Sequence, residues 1–178
     1  MPQFRRIYII GFMGSGKTTT GKKLADGLRW SFIDLDREIE AESGKTINEI
    51  FSESGEKSFR QMESEILHKL NINKDTVISL GGGTPCFSDN MDYINKTGTA
   101  IYLRLSPQLL KNRLSRESDK RPLLKDIPEN ERIHFIHEKL SEREVHYNRA
   151  ALIVDADNLR IDALVRRLER LLRDHMRL

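Results

Sequence analysis

Eight consecutive residues limit what this chain can become more than any others: Gly11-Phe-Met-Gly-Ser-Gly16-Lys17-Thr18, a complete G-x-x-x-x-G-K-[ST] stretch. An isoleucine-bearing apolar run at residues 5–10 precedes it. Residues 17–29 follow, with Thr18, Gly21, Leu24, Ala25 and Leu28 at helical spacing. A strand that enters a glycine-rich loop and leaves as a helix is an anion nest. The glycines let successive N–H groups turn inward at a helix N-terminus. Gly14, Ser15, Gly16, Lys17, Thr18 and Thr19 are the candidate nucleotide-binding residues. Lys17 supplies a mobile charge for the β- and γ-phosphates, and the Thr18 hydroxyl a hard oxygen for Mg²⁺. The bland reading is a glycine-rich turn with a chance Lys-Thr. The motif speaks to the nucleotide and is silent about any acceptor.

The rest of the chain repeats the alternation. Strand-like runs fall at residues 31–34, 76–80, 99–105 and 151–154, and helical patterns at 37–42, 47–53, 55–70, 107–115, 129–148 and 159–176. Residues 116–128 are charged and proline-punctuated, a loop by composition. These alternations predict an α/β fold: a P-loop three-layer α/β/α domain around a five-stranded parallel sheet. No repeat or linker divides the chain, so one domain over residues 1–178 is expected. It would carry two inserted mobile segments, an acceptor-binding one at about 35–62 and a lid at about 115–127.

Candidate chemistry gathers at the C-terminal ends of the expected strands, where open parallel sheets bind ligands. Asp34 and Asp36 stand two apart at the end of the second strand, and alternation would aim both carboxylates at the cleft. One would then serve Mg²⁺ through water and the other the acceptor hydroxyl; alternatively Asp36 caps the next helix. Arg60 lies near a helix start beside Phe59 and Met62, with Glu63 one turn on to orient it. Arg143 fills a gap in the inward stripe Ile133, Ile136, Leu140, Tyr147, where a charge needs a partner. Its fork suits a carboxylate or phosphate; snorkelling, or pairing with Glu144 or Glu138, is the alternative. Gly81-Gly82-Gly83 ends the third strand, which suggests a close backbone approach to a ligand, or else a flexible turn. Arg121, in the charged loop, can bring positive charge to a transferring phosphoryl group when the loop closes, or is an incidental loop arginine.

Composition excludes little more. No apolar run approaches the roughly 20 residues of a membrane span, and the basic, apolar start leads straight into the phosphate motif rather than reading as an export signal. Cys86 is the only cysteine, so no internal disulfide forms, and it reads as a small half-buried side chain before a reactive thiol. A net charge of +3, with basic residues interleaved among acids, fits an enzyme of ATP and an anionic substrate better than a nucleic-acid binder. The arginines at 166, 167, 170 and 173 read as a solvated helix face. A cytoplasmic monomer, with neither membrane nor nucleic acid as partner, is the expectation.

Together, Gly11 to Thr19 with Gly21, Asp34-Leu35-Asp36, Phe59-Arg60-Gln61-Met62-Glu63, Gly81-Gly82-Gly83, Arg121-Pro122-Leu123-Leu124, and Arg143 four before Tyr147 resemble the shikimate kinase family. They stand in that family's order and close to its spacing, from residue 7 to about 160. The family is similar in fold to nucleoside monophosphate kinases. The resemblance implies transfer of a phosphoryl group from Mg-ATP to the 3-hydroxyl of shikimate, in aromatic precursor synthesis. By that likeness Asp36 holds ring hydroxyls and acts on the attacking one, while Arg60, Arg143 and the Gly81-Gly82 backbone grip the carboxylate. Asp34 serves Mg²⁺ through water, Arg121 is the lid arginine, and Arg113 or Arg160 meets adenine. Thr84-Pro85-Cys86 is a small departure that leaves the assignment intact. The rivals are another P-loop small-molecule kinase, such as a gluconate or nucleoside monophosphate kinase, and, in a different class, a nucleotide-binding regulatory module.

Overall fold

The isoleucine run forms β1 (Arg6–Ile10), and it lies at the centre of the sheet rather than at its edge. The computed structural model describes residues 5–115, 124 and 127–176. Within them β2 (Ser31–Asp34), β3 (Thr76–Ser79), β4 (Thr99–Arg104) and β5 (Leu152–Asp155) join β1 in one all-parallel sheet of order β2-β3-β1-β4-β5. Tyr8 sits opposite Ile78 on one side and Ala100 on the other.

The inner strands read as unbroken apolar runs because both faces are buried. All of β3 and nearly all of β1 and β4 are shielded, whereas the edge strands β2 and β5 are half-open. Helices must therefore cover both faces, the expected three-layer α/β/α arrangement. They are α1 (Lys17–Leu28), α2 (Leu35–Ser43), α3 (Ile47–Lys69), α4 (Asn90–Thr97), α5 (Pro107–Leu114), α6 (Arg132–Tyr147) and α7 (Ile161–Met176). Ile7, Ile9, Leu24, Ile78, Ile101 and Leu168 belong to one continuous core of fully buried side chains. No described helix is long and apolar enough to cross a membrane.

Two details depart from the sequence pattern. Strand β2 stops at Asp34, so Asp36 belongs to α2 and strand alternation is not what aims the two acids. The two helical stretches expected at 47–53 and 55–70, by contrast, both form, and they meet within α3 at Gly55, where the backbone leaves the helical conformation with φ of 76° and no side chain crowds it. Arg60 accordingly lies shortly past the break, near the start of the second stretch. Finally, α4 had no counterpart among the expected elements; it is short, with only Met91 and Ile94 as buried apolar anchors.

Topology places the site. From β1 the chain runs out to β2 and back to β3 on one side, then crosses to β4 and β5 on the other. The C-terminal end of β1 is the switch point, and the loop that follows it faces an opening between the ends of β3 and β4.

Candidate active site

The glycine loop is shaped by backbone alone. Gly14 and Gly16 take left-handed φ values of 77° and 86°, and Gly16 is the N-cap of α1. Asp34, Thr46 and Ser106 cap α2, α3 and α5 with their side chains, but no side chain caps α1 and no acid lies in its first turn. Its N–H groups and the positive end of its dipole are left for an anion. Gly11 must be glycine for another reason: a Cβ there would stand 2.8 Å from the Leu103 carbonyl oxygen, in a backbone with φ of 145°. Lys17 arches over the loop, its Nζ donating to the Phe12 carbonyl at 2.9 Å.

A cleft of about 550 Å³ opens above this loop, walled by Lys17, Thr18 and Thr19 on one side and by Ser79, Gly81 and Gly82 on another. Asp34 and Asp36 also face it. The turn, not the strand, brings them there: Asp34 Oδ1 accepts the Asp36 N–H at 3.1 Å, so Asp34 is the residue that caps α2. Its other oxygen accepts the Thr18 hydroxyl at 2.7 Å, and Ser79 Oγ lies 3.4 Å from the same hydroxyl. Two hydroxyls and a carboxylate thus converge, an all-oxygen donor set suited to a hard cation that keeps water ligands. Arg113 lines the far end of the cleft beside Asn112, and its Nη1 reaches the Gly14 and Ser15 carbonyls at 3.4 and 3.5 Å. Arg160 is exposed just before α7 and is not among the described residues lining the cleft. Arg121 and most of the expected lid lie outside the described residues.

Beside the cleft lies a smaller chamber of about 80 Å³, and Met13, Asp36, Gly81 and Gly82 belong to both. Its other walls are Arg60, Arg143, Gly83 and the aromatic rings of Phe51 and Phe59. Arg60 is nearly buried, with its Nη1 donating to Glu63 at 2.8 Å and its Cζ 5.1 Å from the Phe59 ring. Burial works against the Arg60 charge, but Glu63 and then Glu56 outweigh it, and its pKa ends above the ordinary value. Glu63 is completely buried and also accepts the Thr84 hydroxyl. Arg143 is 8% exposed, and its Cζ rests 5.3 Å from the Phe12 ring. Neither Glu144 nor Glu138 takes it: Glu144 accepts from the Tyr102 hydroxyl, and Glu138 meets His134. Among the described residues Arg143 has no carboxylate partner, and it lines both this chamber and a second cleft on its outer side.

The three glycines have an unexpected occupant. None of them has a positive φ, so turn flexibility is not their purpose. A Cβ on Gly81 would stand 2.2 Å from a Glu63 oxygen, and one on Gly83 would stand 2.3 Å from the Arg60 Cζ. The close approach inferred from sequence is therefore, at these two positions, an approach to the buried Arg60–Glu63 pair. Gly82 is the residue wedged between the glycine loop and Arg143, its would-be Cβ 3.3 Å from both Met13 N and Arg143 Nη1. Tyr147 donates its hydroxyl to the Gly82 carbonyl. Burial pushes that phenol's pKa far up, against the opposing pull of Arg143, so it stays a donor.

Several of these residues escaped the sequence reading. Ser79 carried a visible signal, a polar residue inside the apolar Val77-Ile78-Ser79-Leu80 run. Tyr147 closed the inward stripe of α6 and was used only as a spacing marker. Phe51 and Met13 carried none, because an apolar residue lining a chamber looks like any core residue.

A glycine loop at the switch point of a parallel sheet, hard oxygens beside it and a cationic chamber opening into the same cleft define a P-loop phosphotransferase. Comparison with known proteins narrows the class. The shikimate kinase family profile matches residues 13–173. A shikimate kinase of Bacteroides fragilis is 44% identical over 175 residues, spanning 96% of this chain and 98% of its own. The crystal structure of shikimate kinase from Bacteroides thetaiotaomicron superposes with a TM-score of 0.87 at 41% identity, covering 94% of this chain and 98% of that one. Shikimate kinase from Acinetobacter baumannii in complex with shikimate does so with a TM-score of 0.89 at 30% identity, covering 97% and 95%. The chain belongs to the shikimate kinase family.

Proposed function

We propose that this chain transfers the γ-phosphoryl group of Mg-ATP to the 3-hydroxyl of shikimate, yielding shikimate 3-phosphate and ADP. The observation that carries this reading is the shared wall. Asp36, Gly81 and Gly82 face both the phosphate cleft and the chamber of Arg60 and Arg143, so donor and acceptor meet across Asp36. A small polyhydroxy carboxylate requires cations at one end and a hydroxyl acceptor at the other.

In this reading Arg60, Arg143 and the Gly81-Gly82 backbone hold the acceptor carboxylate, and Asp36 holds the ring hydroxyls. Asp36 accepts a hydrogen bond from the attacking hydroxyl and aims its oxygen along the line of the leaving group. A bond forms from that oxygen to the γ-phosphorus as the bond to the β–γ bridging oxygen breaks, and the hydroxyl proton passes to Asp36 or to the phosphoryl oxygens. The transition state is loose, so positioning and charge matter more than base strength. Thr18 would coordinate Mg²⁺ directly, with Asp34 acting through water. Held there, Mg²⁺ would supply positive charge against the negative charge that develops on the transferring group. Gly14, Ser15, Gly16, Lys17, Thr18 and Thr19 hold the phosphates, and Arg121 in the lid completes the charge around the transferring group. Of the two arginines considered for adenine, Arg113 is better placed than Arg160, since it lines the cleft.

The proposal extends to organisation. Residues 1–178 act as one kinase domain, with residues 35–62 closing on the acceptor and 115–127 on the nucleotide, as a cytoplasmic monomer without nucleic-acid or membrane partners. ADP release measured against shikimate, gluconate, nucleoside monophosphates and no acceptor tests the central reading. Shikimate alone should stimulate turnover, and only with Mg²⁺ present. Stimulation by another acceptor instead, or equal turnover with none, would overturn it.

A further inference from the structure

Two carboxylates hold Arg60, and they differ in a way that bears on acceptor choice. Glu63 is fully buried and bound to both Arg60 Nη1 and the Thr84 hydroxyl, so it has nowhere else to go. Glu56, one helical turn before Arg60, has a side chain 51% exposed. One of its oxygens accepts both Arg60 Nε–H at 3.3 Å and Nη2–H at 3.2 Å. Those two groups form an edge of the guanidinium that meets a carboxylate with parallel hydrogen bonds. Glu56 therefore occupies, from within the chain, an edge suited to an incoming carboxylate.

Its surroundings allow it to leave. Arg60 lines both the acceptor chamber and an outer cleft of about 570 Å³, whereas Glu56 lines only the outer cleft. Lys57 and Lys139 line that outer cleft too, and offer a released carboxylate positive charge, with Lys139 already meeting Glu142 at 2.8 Å. Phe51 and Phe59, with ring centroids 5.9 and 5.1 Å from Arg60 Cζ, flank the guanidinium, and Glu63 anchors its other end. Arg60 can thus exchange one carboxylate for another without moving.

We propose that Glu56 is a selectivity residue: the acceptor's carboxylate displaces it from the Nε/Nη2 edge of Arg60, and Glu56 turns away from the guanidinium within the outer cleft that it already lines. The inference rests on the reading of the chamber as the acceptor site. Exchange of carboxylate for carboxylate preserves the charge-assisted bonds, while an uncharged acceptor has nothing to offer in return and leaves Glu56 in place. Glu56 thereby raises the threshold for every acceptor and excludes neutral ones.

Glu56→Gln, which keeps the shape and removes the charge, and Glu56→Ala test this. The measurements are shikimate KM and kcat at saturating Mg-ATP, with shikimate Kd by calorimetry. A partly exposed pair within one helix is worth a small factor, so KM and Kd should fall by about two- to fivefold in both variants. The kcat and the KM for ATP should hold. The neutral methyl ester of shikimate should gain relative to shikimate itself, because it never displaced Glu56. A rise in shikimate KM would overturn the proposal, since Glu56 would then be holding Arg60 in place for the acceptor; unchanged values would overturn it as well. Wild-type enzyme that turns over shikimate beside unmoved variants removes only the role of Glu56. Wild-type enzyme indifferent to shikimate removes the acceptor reading and this one together.

Discussion

The phosphate loop and the acceptor chamber share a wall, yet they are made of different material. The loop is eight consecutive residues, Gly11 to Thr18, and what it offers is mostly backbone: glycines with φ of 77° and 86° and an uncapped helix N-terminus. The chamber draws on side chains from α2, α3 and α6 set against the glycines that follow β3, and each depends on another. Arg60 leans on Glu63, Glu63 on Thr84, Arg143 on Phe12, and Gly82 on Tyr147. A backbone site survives most side-chain changes around it. A site of mutually supporting charges should fail in steps, and should touch the acceptor while sparing the nucleotide.

The largest effect should come where the two regions meet. Asp36→Asn is expected to cut kcat by about a hundredfold or more, with Mg-ATP affinity nearly intact by calorimetry. Normal turnover in that variant would break the link between cleft and chamber. Next is the chamber's buried support. Glu63→Ala leaves the buried Arg60 charge with only the exposed Glu56, which should cost about 3 kcal/mol in urea unfolding and raise shikimate KM. An unfolding midpoint equal to wild type would show that the pair is ornamental to the fold.

A comparable factor is expected in a chemical probe at the chamber's outer side. Burial pushes the Cys86 thiol up to about 11 from an ordinary 9.0, against the pull of Arg143 and Arg60. Its reactive thiolate is thus scarce at neutral pH. Alkylation at pH 8 should run about a hundredfold slower than for a free thiol and climb about tenfold per pH unit until near pH 11. A rate already level by pH 9 would place the thiol in water. The smallest change sharpens the comparison most directly. If Arg143 holds the acceptor as proposed, Arg143→Ala removes one charge-assisted hydrogen bond and should weaken shikimate binding by at least about tenfold while leaving the KM for ATP alone. Loss of ATP affinity instead would mean that the two regions cannot be separated.

The same contrast governs how much could be read without coordinates. The glycine loop, the five strands and the parallel sheet were legible, because each is a local pattern: a motif of fixed spacing, or apolar runs punctuated by turns. Asp34 and Asp36 were found, but for an incomplete reason. Alternation along a strand was expected to aim them, and a helix cap does so instead. The short helix α4 was missed because eight residues with two buried apolar anchors carry almost no periodic signal. Glycines 81 to 83 were recognised as a place of close approach. What approaches Gly81 and Gly83, however, comes from α3, some twenty residues earlier in the chain.

By itself the sequence determined the class of fold, the nucleotide site and the cast of charged residues, because these follow from spacing along one chain. Only the tertiary structure decided which charges neutralise each other and which are left over. Glu63 is consumed in holding Arg60, whereas Arg143, paired with no described carboxylate, is left to line the chamber and the cleft outside it. The reason is physical. The energy of a buried charge depends on distance and desolvation in space, and residues far apart in sequence set both only when the sheet and its helices bring them together.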